Sequence, residues 1–108
     1  MSNPETKIQN EIRIALSKHD CTVFRANVGK VMMNNGRWFD TGLPKGHPDL
    51  YGFRHSDGKC FYVEVKTKTG RLRDDQKRFA EYVRQFPVLY GVARSAEDAI
   101  NIIEGKQS

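Results

Sequence analysis

Cysteine, proline and tryptophan are scarce in this 108-residue chain, which has two, four and one of them. Cys21 and Cys60 stand in apolar surroundings without the spacing of a disulfide framework, so we expect two reduced, buried thiols of the kind found in cytosolic proteins. No apolar run approaches the roughly 20 residues that a membrane helix needs, and no signal-peptide pattern is present. These absences argue against a disulfide scaffold and an integral membrane protein, and they predict a cytoplasmic protein.

Acidic residues are fewer than basic ones, 13 against 18, which gives a net charge of +5 and a pI of about 9.4. The excess is concentrated between residues 66 and 78, where six cations stand against two aspartates. Because no apolar helix face accompanies this patch, a polyanion such as nucleic acid suits it better than a membrane surface. With 38% hydrophobic residues, the chain can bury one modest core, which is typical of a single small domain.

Residues 4–18 have the pattern of a helix. Asn3 can cap its start, and Pro4 suits its first turn. Its apolar stripe follows helical spacing through Ile8, Ile12, Ala15 and Leu16. Glu11 lies at the edge of this stripe, where it is either an ordinary boundary residue that reaches water or a metal ligand.

An Asn-Gly pair in the middle of residues 30–39 is a strong hairpin signal. It predicts a small two-stranded flap that carries Lys30, Arg37 and Trp38. Trp38 can stack on a nucleic-acid base. The alternative, which we favour from the pattern alone, is that Trp38 packs on the core or on a partner subunit.

The chain is organised around Asp49, Glu64 and Lys66. An apolar run follows Asp49 and another precedes Glu64, and the turn signal Ser56-Asp57-Gly58 separates them, so the two runs predict an antiparallel hairpin. Any register that this turn allows places Asp49 opposite residue 64, 65 or 66. Because side chains alternate along a strand, Glu64 and Lys66 share a face. The hairpin therefore brings two carboxylates and an ammonium together at the end of a sheet, unless it is an ordinary hairpin with a Glu64–Lys66 salt bridge at its surface.

A polar, basic loop over residues 67–71 follows this hairpin. A helix is predicted next over residues 74–85, with an apolar stripe in which Gln76 falls. A glutamine that faces inward needs hydrogen-bond partners. Gln76 can bond an ordinary backbone group, or it can point at a catalytic site.

The last part of the chain predicts a buried strand over residues 88–93 and then a helix that begins at Ser95 and ends at Gly105. With residues 22–28 as the first strand, the order of elements is α-β-β-β-α-β-α plus the flap. This order predicts one α/β domain over residues 1–108, with a mixed central sheet flanked by helices.

Paired carboxylates beside a lysine are the groups that phosphodiester hydrolysis needs. A hard divalent cation held by carboxylates activates water and neutralises phosphate charge, and Mg²⁺ suits such a site because it needs few protein oxygens. The Val65 carbonyl at the strand end can be a further oxygen ligand, and Lys66 can orient the water or stabilise developing charge. The lack of suitable cysteine and histidine spacing argues against zinc.

The run Gly46-His47-Pro48-Asp49, with Glu64-Val65-Lys66 after it, resembles the signature of the PD-(D/E)XK nucleases. Further details resemble its VRR-NUC branch, the virus-type replication-repair nucleases: Glu11, the loop over residues 42–50, Gln76 followed by Phe79, and the Ser95-capped helix after the last strand. The resemblance covers about residues 5–103, and it implies a restriction-endonuclease-like core in a stand-alone domain of the viral or bacterial type. Arg73 departs from the family, which often has serine or threonine at that helix cap.

The resemblance also implies roles for individual residues. The expected catalytic residues are Glu11, Asp49, Glu64, Lys66 and Gln76. The expected ligands of Mg²⁺ or Mn²⁺ are Glu11, Asp49, Glu64 and the carbonyl of Val65, whereas His47 is given no catalytic role. Cations expected to hold DNA phosphates without reading sequence are Lys30, Arg37, Lys45, Lys68, Arg71, Arg73 and Lys77.

The function expected from this resemblance is a metal-dependent, structure-selective DNA endonuclease in a bacterial or phage-infected host cell. Family analogy and the small size of the chain favour a homodimer that resolves four-way (Holliday) junctions. One alternative is a nuclease of the same fold that cuts flaps or splayed arms, or that nicks duplex. Another is a non-catalytic nucleic-acid-binding module.

Overall fold

The computed structural model describes residues 3–106. The first helix, α1, spans Pro4–Lys18, and the Oδ1 of Asn3 accepts the Glu5 N–H at 2.8 Å. The predicted cap and the predicted bounds of this helix are therefore confirmed. Its buried positions are Gln9, Ile12 and Leu16.

The strands in chain order are β1 (Cys21–Arg25), β2 (Lys30–Met32), β3 (Trp38–Asp40), β4 (Leu50–Arg54), β5 (Cys60–Val65) and β6 (Leu89–Ala93). Two more helices follow β5 and β6, α2 over Asp74–Val83 and α3 over Ala96–Ile103. The central sheet has the order β1-β4-β5-β6, in which β5 and β6 are parallel and the other two pairs antiparallel. The mixed sheet and the order of elements agree with the prediction.

One face of this sheet packs on α1 and α3 to form the hydrophobic core. The fully or almost fully buried side chains of this core are Ile12, Leu16, Cys21, Leu50, Phe61, Val63, Val65, Ala93, Ala99, Ile102 and Ile103. Since side chains alternate along β5, burying Val63 and Val65 on this face turns Tyr62 and Glu64 to the other. The opposite face of the sheet therefore carries the polar residues of interest.

That opposite face is covered by α2 and by an aromatic cluster around His47. The His47 ring makes edge contacts with Tyr51, Tyr62 and Phe79, with centroids 5.2–5.7 Å apart. His47 Nδ1 lies 2.7 Å from the Pro48 carbonyl oxygen, and burial lowers the pKa of the ring. This packing holds the loop that leads into Asp49, and it accounts for His47 without a catalytic role.

The flap predicted from the Asn-Gly pair is present as a separate two-stranded sheet, β2 with β3. Gly36 takes a φ of +82°, which a glycine adopts without strain. Every residue from Lys30 to Asp40 is exposed, and Trp38 is 62% exposed. Trp38 therefore does not pack on the core of its own chain, which excludes one of the two packing alternatives to base stacking.

The first strand is shorter than the predicted span of residues 22–28. After Arg25, the Ala26 N–H still bonds the Asp49 carbonyl at 2.8 Å, but Gly29 then turns with a φ of +70°. The chain leaves the sheet at this point to form the flap. β-Branched composition predicted the strand, whereas the glycine determined where it ends.

Two further predictions are corrected by the structure. Helix α2 ends at Val83 rather than residue 85, and Phe86 beyond it is 46% exposed. Cys60 is exposed, because it lies at the start of β5 beside the turn, whereas Cys21 is buried as expected; both thiols are free. Within residues 3–106, no helix is long and apolar enough to cross a membrane.

Candidate active site

The ladder between β4 and β5 brings Asp49 to Glu64, as the hairpin predicted. Leu50 pairs with Val63, so the next position along each strand sets Asp49 against Glu64. Asp49 Oδ2 accepts the backbone N–H of Val65 at 2.9 Å. This bond holds the aspartate carboxylate at the end of β5, beside the glutamate.

Glu64 is a buried carboxylate with one satisfied and one unsatisfied oxygen. The residue is 1% exposed. Its Oε1 accepts the Nε2–H of Gln76 at 3.1 Å, and its Oε2 has no hydrogen-bond partner among residues 3–106. Burial, together with the neighbouring Asp49 carboxylate, raises the pKa of Glu64 to about 9. Asp49 and the desolvated Glu64 thus lie close enough together for their negative charges to repel.

Gln76 connects this site to the start of α2. Its side-chain Oε1 accepts the Arg73 backbone N–H at 2.8 Å while its Nε2 donates to Glu64. The Gln76 amide thus makes one of the two hydrogen bonds of a capping box, the one from the N-cap backbone N–H to the side chain at N3. This bond stabilises the N-terminus of α2 although position 73 is an arginine and not a serine or threonine. The predicted inward direction of Gln76 is confirmed. The Gln76 amide also explains how α2 can begin at a cap position occupied by Arg73.

Gly46 allows the loop before Asp49 to lie directly on α2. A Cβ built on Gly46 would come 2.3 Å from the Asp75 carbonyl oxygen, far inside a normal contact. No side chain fits between this loop and the first turn of the helix. The absence of a side chain at Gly46 thus sets the distance between the segment that carries Asp49 and the helix that carries Gln76.

Lys66 is the first residue after β5, and it is 7% exposed. Its backbone N–H donates to the Ala93 carbonyl at 3.1 Å, which extends the pairing of β5 with β6. Its positive charge acts to lower the pKa of Glu64 against the effect of burial. The alternative, an ordinary Glu64–Lys66 salt bridge at an exposed hairpin surface, does not apply, because both residues are buried.

Glu11 does not join this group. Its side chain is exposed on α1, on the side of the helix away from Gln9, Ile12 and Leu16. Of the two α1 carboxylates, Glu5 is the one whose charge contributes to the raised pKa of Glu64, after the larger effects of burial and Asp49.

The signal for Glu5 was in the sequence. Glu5, Gln9, Ile12 and Leu16 follow a spacing of four, three and four residues, which places them on one helix face. This face of α1, with the buried residues Gln9, Ile12 and Leu16, is not the one that carries Glu11.

Tyr90 is a second residue that sequence reasoning missed. It pairs with Tyr62 across the parallel β5–β6 ladder, two positions before the residue opposite Glu64, and so it shares the face of Glu64. Its hydroxyl is buried without a partner among residues 3–106, and the Arg84 guanidinium lies 5.0 Å from its ring centroid. Burial and the charge of Glu64 raise the pKa of Tyr90 to about 12. Its position in an apolar run gave no sign of this polar environment.

The seven cations predicted to hold DNA all lie at the surface. They are Lys30 and Arg37 on the flap, Lys45 in the loop before Asp49, Lys68 and Arg71 in the loop after Lys66, and Arg73 and Lys77 at the start of α2. Arg73 already pairs with Asp75 at 3.2 Å, so its charge is partly compensated. The loop after Lys66 and the start of α2 adjoin the carboxylate site, whereas the flap is a separate sheet.

The donor set can be tested against a hard divalent cation. Among residues 3–106, no three histidine, cysteine, aspartate or glutamate side chains form a metal-binding group. The site offers instead two adjacent carboxylates and the unsatisfied Glu64 Oε2, a set of few oxygen ligands that fits Mg²⁺ or Mn²⁺ completed by water. The donor chemistry of Asp49 and Glu64 therefore fits such a cation.

Comparison with known proteins agrees with this geometry. The sequence profile of the VRR-NUC domain matches residues 3–97. A solved VRR-NUC domain structure, 20% identical in sequence, superposes with a TM-score of 0.71 over 98% of this chain and 100% of that one. No curated protein matches the chain significantly. The chain belongs to the VRR-NUC domain family, and it is a nuclease of the PD-(D/E)XK type that acts on DNA.

Proposed function

We propose that this nuclease is a structure-selective DNA endonuclease that depends on Mg²⁺ or Mn²⁺ and resolves four-way junctions as a homodimer. The observation that carries the proposal is the buried Glu64 carboxylate beside that of Asp49, because its Oε2 has no hydrogen-bond partner in the described part of the chain. Such an arrangement disfavours two negative charges until a cation joins them. Loop 67–71 begins directly after Lys66, so its cations form a basic surface beside the site.

Within this proposal, Asp49 and Glu64 hold the cation, with the Val65 carbonyl as a further oxygen. Of the two α1 carboxylates, Glu5 rather than the exposed Glu11 contributes charge at this site. A divalent cation bound here supplies Lewis acidity toward the scissile phosphate. The cation is the same for any DNA substrate of this site, so substrate choice depends on the surfaces around it.

The protein groups have separate tasks in phosphodiester cleavage. Gln76 fixes the orientation of Glu64 through the 3.1 Å hydrogen bond. Lys66 carries the ammonium that stabilises negative charge on the phosphate as it develops, or orients the attacking water. Lys68, Arg71 and Lys77 bind neighbouring phosphates without reading bases, which supports selection by DNA shape.

A homodimer is supported by the exposed flap. Val31, Met32, Met33, Trp38 and Phe39 are apolar side chains that each remain at least 43% exposed. A second copy of the chain covers such a surface at a two-fold axis, and two sites related by that axis match a symmetric junction. We also propose that the enzyme works in the cytoplasm of a bacterial or phage-infected host cell, the compartment expected from its free thiols.

The test is cleavage of a labelled four-way junction beside a linear duplex of matched sequence, with Mg²⁺, Mn²⁺ or EDTA. Wild type is compared with Lys66→Ala and with Lys18→Ala, a control that removes an exposed lysine from the end of α1. Symmetric cuts in the junction that need metal and are lost in Lys66→Ala alone are expected. Equal cleavage of the linear duplex, or preference for flaps or splayed arms, would replace the junction assignment with a nicking or flap nuclease. Binding without cleavage in every metal would assign a non-catalytic module.

A further inference from the structure

Arg94 is the first residue after β6, and its side chain reaches the loop that follows Lys66. Its Nη1 donates to the carbonyl oxygens of Thr67 at 2.6 Å and Gly70 at 2.7 Å, with a longer contact to that of Lys68 at 3.4 Å. One guanidinium nitrogen thus contacts three carbonyl oxygens within a segment of four residues. Loop 67–71 has no strand or helix of its own, so these bonds define its shape.

The backbone of Arg94 is itself fixed on both sides. Its N–H donates to Asp98 Oδ2 at 2.9 Å, and the Asp98 N–H donates to Ser95 Oγ at 3.1 Å, so the predicted capping residues of α3 anchor it. Just before it, the Ala93 carbonyl accepts the Lys66 N–H at 3.1 Å. Arg94 therefore reaches the loop from a rigid junction between a central strand and a capped helix.

The loop that Arg94 gathers lies against the side chain of Lys66. The Gly70 N–H donates to the Thr67 carbonyl at 3.1 Å, which folds the loop back on itself. A Cβ built on Gly70 would lie 3.5 Å from Lys66 Cδ, within ordinary van der Waals contact. Gly70 thus lies next to the methylene chain of Lys66, a residue that is 7% exposed, and the folded loop bounds the space around this side chain.

We propose that Arg94 is a positioning residue for Lys66 and for the cations of loop 67–71. It acts through the loop: it holds the loop over the Lys66 side chain and, in the same conformation, presents Lys68 and Arg71 to the phosphate backbone. An arginine suits this task because its planar, permanently charged group presents several donors in a fixed geometry, whereas a lysine has one flexible point charge. The catalytic part of this inference rests on the proposed function, and the ordering of the loop does not.

The experiment compares Arg94→Ala, Arg94→Lys and a charge-matched control, Arg13→Ala, whose residue lines a groove between α1 and β1. The first measurement is limited proteolysis with trypsin, which cleaves after Lys68 and Arg71 when their loop opens. The second is the cleavage rate of labelled branched DNA across substrate concentrations, which separates kcat from KM. The thermal midpoint of each variant is measured in parallel.

We expect Arg94→Ala to speed tryptic cleavage of the loop on the order of tenfold while the rest of the domain stays resistant. We expect its kcat to fall about 10- to 100-fold, since misplacing a catalytic group by about 1 Å costs as much. Arg94→Lys should recover part of both effects, and Arg13→Ala should change neither.

Two results would overturn the inference. If Arg94→Ala raised KM alone and Arg94→Lys restored it fully, Arg94 would be a phosphate contact like the other surface cations. If trypsin cleaved the loop no faster in Arg94→Ala than in wild type, Arg94 would not order it. The proteolysis needs no DNA, so a wild-type protein that cuts no DNA would overturn the proposed function while this part of the inference stood or fell by itself.

Discussion

The side-chain amide of Gln76 donates to the buried Glu64 carboxylate at 3.1 Å and accepts the N–H of Arg73 at 2.8 Å. One residue therefore caps the start of α2 and holds a buried carboxylate of the candidate site. Because both contacts come from the same amide, we expect stability and activity to be coupled at this position.

Replacing Gln76 by alanine removes both hydrogen bonds and leaves a second Glu64 oxygen unsatisfied. We expect the free energy of unfolding to fall by about 1–3 kcal/mol and nuclease activity to fall at least tenfold. Urea unfolding and initial cleavage rates measure the two effects. Gln85→Ala, at an exposed position beyond α2, is the matched control. Unchanged stability in Gln76→Ala would show that neither bond matters to the fold.

Glu5 and Glu11 lie on different sides of α1, and the structure predicts different effects for the same change. Glu5→Gln removes a charge that acts on Glu64, so we expect a weaker apparent affinity for Mg²⁺, by about tenfold as for other residues that support a metal site. Glu11→Gln changes an exposed carboxylate, and we expect activity within twofold of wild type. Cleavage rates across a Mg²⁺ titration compare the two. The reverse order of effects would restore Glu11 as the ligand.

Glu64 makes the stability of the metal-free protein depend on pH. Its pKa rises from 4.5 to about 9 on folding, so between these values the folded state keeps a proton that the unfolded chain has lost. The free energy of unfolding contributed by this group therefore falls as pH rises from about 5 to 9. Glu64→Gln has no such proton, and we expect it to be more stable than wild type in EDTA at pH 8, by about 1–3 kcal/mol.

Addition of Mg²⁺ should reverse this order, because a cation that binds the folded state stabilises it. We expect a rise in the thermal midpoint of wild type that Glu64→Gln lacks, measured by differential scanning fluorimetry. Glu97→Gln, at an exposed position of α3, should follow wild type in both EDTA and Mg²⁺. A variant with an undiminished Mg²⁺ response would remove Glu64 from the metal ligands.

Gly46 packs against the first turn of α2, and a methyl group there has no room. Gly46→Ala would place its Cβ 2.3 Å from the Asp75 carbonyl oxygen, so the loop and the helix must separate. We expect a loss of about 1–3 kcal/mol in the free energy of unfolding, with lower activity because Asp49 and Gln76 move apart. Lys45→Ala, at the exposed neighbouring position, controls for stability. Urea unfolding that gave equal midpoints for the two variants would show that the contact yields easily.

Short-range patterns in the sequence determined much of the fold and the centre of the site. Alternation of side chains and the Ser56-Asp57-Gly58 turn limited the residue opposite Asp49 to 64, 65 or 66, because a hairpin register depends on residues close in the chain. The β4–β5 ladder places Glu64 there. The Asn-Gly pair predicted the flap for the same reason. The inward direction of Gln76 followed from helical periodicity alone.

Tertiary structure decided what depends on contacts between distant segments. Periodicity places Glu5 and Glu11 on different faces of α1, but only the fold shows that the charge of Glu5 reaches Glu64. Arg94 reaches carbonyls that are 24 to 27 positions away in the chain, and no local pattern predicts such a contact. The Tyr90 hydroxyl, which has no partner among residues 3–106, likewise lies where the pairing of β5 with β6 places it. Periodicity specifies which face a side chain occupies, but packing specifies what that face meets.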